Sequence, residues 1–293
     1  EPPRPDELVT AAARATAAAA AAPHLAEAQI ACGHVRLHQG DATGAAVHFR
    51  TAIARAPYLP EAHEWLGRML VEAGYLIDGM ARLTDALEME PSLEIPRWDL
   101  ARVYALEERW AEHDRVIDEL RLVTGGLRGR FGGRLRFAGW RRRLDEVAAI
   151  RRELDATPTV SIFERALIVA VVDAALGAPW APVRAQIIAS ATAPGIGSAR
   201  RRAFVAQVVA EIAGASGDVA TAVAMVQFAV EHGLFDRHWL ERCPLLVGLR
   251  ADPAYPALRA RVAARADAVL DALYGDHAHR ATADTLLVNA GAR

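Results

Sequence analysis

Apolar residues recur three and four apart along most of this chain, and the segments they mark are short, paired and separated by glycine or proline. Residues 8–22 (LVTAAARATAAAAAA) predict a first helix behind a charged, proline-rich linker, EPPRPDE, at 1–7. A helix from about Leu25 to Gln39 follows. It ends in a turn at Gly40-Asp41, where glycine accepts a left-handed backbone and aspartate caps the next helix. There Ala45, Phe49 and Ala52 recur at helical spacing, and Pro57 is the stop. The plan returns over 60–93 with Leu66, Gly67, Leu70, Gly74, Leu83, Ala86 and Pro91. Helical spacing persists in 145–154, 161–176 and 182–191, with breaks at Thr157-Pro158, Pro179 and Pro194-Gly195. Residues 235–274 predict a short helix, a turn at Asp252-Pro253 and a long closing helix, before a flexible tail, 275–293. The expected class is all-α, without β-sheet.

The pairs are periodic. Pro23, Pro57 and Pro91 are 34 residues apart, as are Ala18, Ala52 and Ala86. Gly33 with Gly67, Gly40 with Gly74, and Ala45 with Gly79 keep the same interval. A fixed period of 34 marks a helix-turn-helix solenoid. The glycine, alanine, aromatic and proline positions together resemble the tetratricopeptide repeat family, closely over 26–93 and more loosely over 94–124. The resemblance implies an α-α superhelix of stacked hairpins, with small residues where two helix backbones nearly touch. In the third unit Trp98, Leu100, Ala101 and Tyr104 fit, but His113 replaces the small residue and Gly125 the proline. Residues 8–22 fall where a second helix would, so a truncated unit is expected there. Gly217-Asp218, Ala222 and Ala229 echo the pattern, and 203–236 reads as a diverged repeat. Between them, 127–192 shows no period. The expected division is a linker at 1–7, an array at 8–124, divergent helical hairpins at 125–194, and a diverged unit with closing helices at 195–274.

An alanine-rich array followed by HWLERCPLL and LRADPAYPALRARVAARA is similar to the C-terminal region of bacterial, myxobacterial-type, eukaryotic-like serine/threonine protein kinases. Similar closing segments accompany repeats fused to cyclases and transcriptional regulators. None of the kinase signatures (glycine-rich loop, HRD, DFG) is present, and no catalytic pairing stands out. The opening on Glu1 reads as a piece of something longer.

Composition sharpens this picture. Hydrophobic residues make up 53% and aromatics only 6%, so alanine, leucine and valine build closely approaching helices. Every basic residue is arginine, which reads as coding bias. A formal charge of −2 implies no global attraction to nucleic acid or membrane. No stretch approaches the length and apolarity of a membrane span. Cys32 and Cys243 stand alone, which suits a reducing, cytoplasmic setting. Locally, 26–120 carries 17 acids against 9 Arg, while 121–152 carries 10 Arg against 2 acids.

The functional expectation is a protein or peptide ligand held in a concave groove, with no cofactor and no metal. In the resembled family, first-helix side chains line that groove. Carried onto this sequence they are Glu27, Ile30, His34, Leu37 and His38, then Glu61, Glu64, Arg68, Val71 and Glu72. The third unit gives Ile95, Trp98, Arg102, Ala105 and Leu106. The family's chaperone-binding members grip a carboxylate with Lys and Asn, where this chain has Ile30 with His34 and Glu64 with Arg68. That departure argues against such a ligand. Trp98 is the expected anchor. His34 and His38 share a helix face but lack a third metal ligand, so they read as groove lining. The run 125–143 interleaves seven Arg with Phe131, Phe137 and Trp140. It reads as a helical hairpin with Leu135, Ala138, Trp140 and Leu144 inward and Arg solvated or facing the acidic array; a flexible arm and a nucleic-acid site over 127–143 are the alternatives. A ligand-sensing helical domain over 127–274 is a further alternative.

Overall fold

A computed structural model describes residues 5–126, 131–157 and 162–275; Arg128, Arg130, His277 and His279 lie outside them. The described residues form helices and no strand. After α1 (Pro5–Ala21), three antiparallel hairpins follow. They are α2 (Ala26–His38) with α3 (Ala42–Arg55), α4 (Pro60–Glu72) with α5 (Leu76–Met89), and α6 (Ile95–Leu106) with α7 (Trp110–Thr124). The two helices of each hairpin pack together, and each hairpin packs on the next. Asp41 caps α3 by accepting the Gly44 N–H at 2.8 Å. Gly67 and Gly79 supply the closest approach: a Cβ on Gly67 would sit 2.9 Å from the Gly79 carbonyl oxygen. Any side chain there overpacks the α4–α5 contact.

The period runs one hairpin further than the sequence pattern suggests. Gly40 and Gly74 both take φ +88°, and Glu108 and Arg142, at the same interval, both take φ +57°. The closing turn bond recurs in step: Asp41, Tyr75, Arg109 and Arg143 donate to the carbonyls of Arg36, Leu70, Tyr104 and Ala138 at 2.8–2.9 Å. Thus α8 (Phe131–Trp140) and α9 (Leu144–Asp155) form a fourth hairpin in register. Its period is hidden because Glu108 and Arg142 occupy left-handed positions that favour glycine. Replacing the exposed Glu108 with Gly should therefore raise stability by about 0.5–1 kcal/mol in a denaturant titration, since the left-handed strain is removed at some cost in unfolded-state entropy. In this hairpin Leu135, Ala138 and Trp140 are buried as expected, but Leu144 is 48% exposed, because it opens α9 at the turn.

The remaining helices turn back. They are α10 (Ile162–Ala175), α11 (Ala181–Thr192), α12 (Ala199–Ala215), α13 (Val219–Glu231), α14 (Arg237–Arg242), α15 (Val247–Arg250) and α16 (Tyr255–Tyr274). Single 3-10 turns, Pro194–Ile196 and Pro244–Leu246, interrupt the run. The hairpin α12–α13 repeats the earlier turn, with Gly217 at φ +73° and Asp218 accepting the Thr221 N–H at 3.1 Å. It begins at Ala199 rather than near 203, and α12 is longer than any first helix of the array. Residues 205–213 of α12 are buried without a break. A helix covered on every side is a central one. One core joins Val71, Leu100 and Leu106 of the array to Val205, Val209, Trp239 and Leu246. A second joins Phe49 and Leu70 to Phe235 and to Val269 and Leu270 of α16. Arg50 closes that end by donating to the last carbonyls of α16, Ala272 and Leu273, at 2.8 Å each.

Candidate functional site

The first helices α2, α4 and α6 present one line of side chains, and the chain itself covers half of it. Toward the helix C-termini, His38 Nδ1 shares a hydrogen bond with Ser198 Oγ at 2.9 Å. Glu72 is paired with Arg200 of α12, and its Oε2 is buried without a partner among the described residues. Arg102 donates to Asp236 at 2.5 Å, and His238 meets Glu107 at 2.8 Å. Val71, Ala105, Leu106 and Leu37 are buried among these contacts. Asp236 is the hub. Besides Arg102 it accepts Gln207 Nε2 at 3.1 Å and the Trp239 N–H at 3.0 Å, which caps α14. Burial is the largest influence and opposes its ionisation, but the charge and hydrogen bond of Arg102, joined by the Trp239 N–H, together hold the carboxyl below its ordinary value.

Toward the helix N-termini the line stays uncovered by α12. Glu27 is exposed there, Ile95 is 42% exposed, and Ile30 is buried. His34 Nε2 donates to Glu61 Oε1 at 3.0 Å, and this bond is the main cause holding the Glu61 carboxyl below its usual value. The His34 ring stands edge-on to Trp65, with centroids 4.5 Å apart. Arg68 lies over Trp65, 4.8 Å from the ring centre, and donates to Asp99 at 2.8 Å. Trp98 is half-buried; its ring occupies the space a Cβ on Gly133 would need and tilts against Phe137 at 5.9 Å. Trp65 and Asp99 fall outside the family's groove positions, so carrying those positions over misses them.

Glu64 stands apart. It is 8% exposed, and burial pushes its carboxyl up to about 7 against the pull of Arg68. The folded chain thus holds this proton more tightly than the unfolded chain, so stability falls as pH rises from about 5 through 7. Glu64→Gln removes the ionisation. It should stabilise the protein by about 1–3 kcal/mol at pH 8 and by almost nothing near pH 4.5, read from paired thermal melts.

The arginine-rich stretch is pinned by carboxylates. Arg141 donates to both oxygens of Asp114 on α7, at 2.8 and 2.9 Å. Arg134 pairs with Glu153 at 2.7 Å, and Arg143 pairs with Asp145 at 3.1 Å. Arg136 departs from the expected solvated position. It makes a two-pronged pair with Glu211 of α12, at 2.6 and 3.1 Å, between the rings of Trp140 and Phe204. Beside this pair lies a cleft of about 400 Å³, walled by Leu144, Val171, Ala174, Leu245 and Val247. A more polar cleft of about 530 Å³ separates α7 from α8 and α9 and is edged by Asp114, Arg121, Arg134 and Glu146.

No protein-family model matches the chain, and no curated protein matches it.

Proposed function

We propose that this chain is a tetratricopeptide-type interaction module, the partner-binding part of a signalling protein such as a serine/threonine kinase. Four hairpins turning at one interval support the repeat reading. The observation that carries the functional reading is the divided inner line. Its C-terminal half is consumed by the chain's own helices, while its N-terminal half keeps His34, Glu61 and Trp98 partly exposed to solvent. Repeat arrays offer extended surfaces of this kind to protein segments. The arginines of α8 that pair with carboxylates favour a protein partner over nucleic acid. As the anchor residue, Trp98 should cost roughly 2 kcal/mol of binding when replaced by Ala. The test is affinity capture with the full chain, with Trp98→Ala, and with a change at Tyr58, which is exposed in the α3–α4 loop. A partner lost only with Trp98→Ala supports the reading, and equal capture by all three contradicts it.

The 400 Å³ cleft favours a second reading, a ligand-sensing regulatory domain, since apolar walls around a few polar groups suit a small molecule. Nuclear magnetic resonance shifts at Val171 and Val247 on addition of small apolar compounds would support it, and their absence across a broad set would count against it.

A further inference from the structure

We infer that the open half of the inner line binds a cationic side chain, arginine or lysine, of a partner segment, with Glu64 as its counter-ion. The inference rests on the interaction-module reading and deepens it.

The geometry is one of assigned and unassigned charges. Residues 61, 64 and 68 share a face of α4, because positions three, four and seven apart stack on a helix. Two of the three are spoken for. Glu61 accepts from His34, and Arg68 has turned its guanidinium to Asp99 and laid it over Trp65. Among the described residues no hydrogen bond or ion pair reaches the Glu64 carboxyl, although the residue as a whole is only 8% exposed and its oxygens keep a narrow contact with solvent. A carboxylate so largely covered gives up part of its hydration and recovers nothing from a partner.

The charged groups facing it are His34 from α2, Glu61 and Arg68 from α4, and Asp99 from α6. Two of those four are carboxylates, and the one guanidinium is already engaged. The environment therefore lacks one positive charge. A guanidinium or ammonium entering from solvent would supply it. Arginine fits better than lysine, since its planar fork can meet both oxygens of one carboxylate.

Binding a cation to the ionised form must displace the proton that burial retains on Glu64. Affinity for the cation then rises with pH below about 7 and levels off above it, a gain of about tenfold between pH 6 and pH 8. Added salt should weaken it.

The experiment uses the full chain, with acetyl-arginine amide and its neutral isostere acetyl-citrulline amide as probes. Binding is read by titration calorimetry and by carbon-13 shifts of glutamate carboxyls. The inference expects saturable binding of the arginine probe, none of the citrulline probe, and about a tenfold gain in affinity from pH 6 to pH 8. Glu64→Gln should abolish both the binding and its pH dependence, while circular dichroism shows unchanged helix. No binding of the arginine probe, equal binding of citrulline, or an affinity independent of pH overturns the inference. Binding whose pH dependence persists in Glu64→Gln overturns it as well. If Trp98→Ala abolishes partner capture while the arginine probe does not bind, only the role of Glu64 falls. If Trp98→Ala leaves capture unchanged, the interaction-module reading itself falls.

Discussion

Asp236→Ala is expected to destabilise the protein by about 3–5 kcal/mol, the cost of leaving one member of a buried ion pair behind. Three things are lost together. Arg102 keeps its charge on the inner line without the carboxylate it is hydrogen-bonded to, Gln207 of α12 loses its acceptor, and the Trp239 N–H at the start of α14 loses its cap. Asp236→Asn separates these contributions. The amide oxygen can still cap α14, worth about 1 kcal/mol, but it cannot neutralise Arg102. Denaturant unfolding followed by circular dichroism measures both, and the Ala change should cost more than the Asn change. A loss below about 1 kcal/mol for Asp236→Ala would mean that the contact between α14 and the array contributes little.

Glu211→Ala carries an expected cost of similar size, about 3–5 kcal/mol, for a related reason. Glu211 is 2% exposed and accepts from Arg136 Nε and Nη2 and from Trp239 Nε1, the last at 2.6 Å. Without it the Arg136 guanidinium is stranded between Trp140 and Phe204, and the indole N–H of Trp239, a residue 0% exposed, loses its acceptor. Replacing the pair together, Arg136→Met with Glu211→Leu, should recover most of the loss, because an apolar pair of similar volume removes the stranded charge. The double-mutant cycle gives the coupling directly. A double variant no better than Glu211→Ala would show that the cost arises from packing around α12 rather than from charge.

Much of the array was legible because its signals are local. The helix expected over Leu25–Gln39 forms as Ala26–His38, and the Gly40 turn and the Gly67 contact lie where the period puts them. The fourth hairpin was not legible. Its turn depends on backbone geometry that Arg142 adopts under strain, and a residue type alone does not announce a left-handed φ. The return of α12 and α14 onto the array was equally hidden. Arg102 and Asp236 are 134 residues apart, and a single long-range ion pair has no periodicity to betray it. The same reason explains Arg136, whose carboxylate partner lies 75 residues away. At the candidate site, repeat position picked out His34, Glu64 and Arg68. Which half of the line the chain covers depends on contacts made across the whole fold.

Helix α12 lies at the centre of the molecule, against the inner line of α2 and α4. Amide hydrogen exchange of the full chain tests this placement. Residues 205–213, buried without a break, should rank among the slowest amides in the protein, far slower than those of α1, which is largely exposed. Exchange of 205–213 as fast as that of α1 would place α12 outside the array and contradict the account.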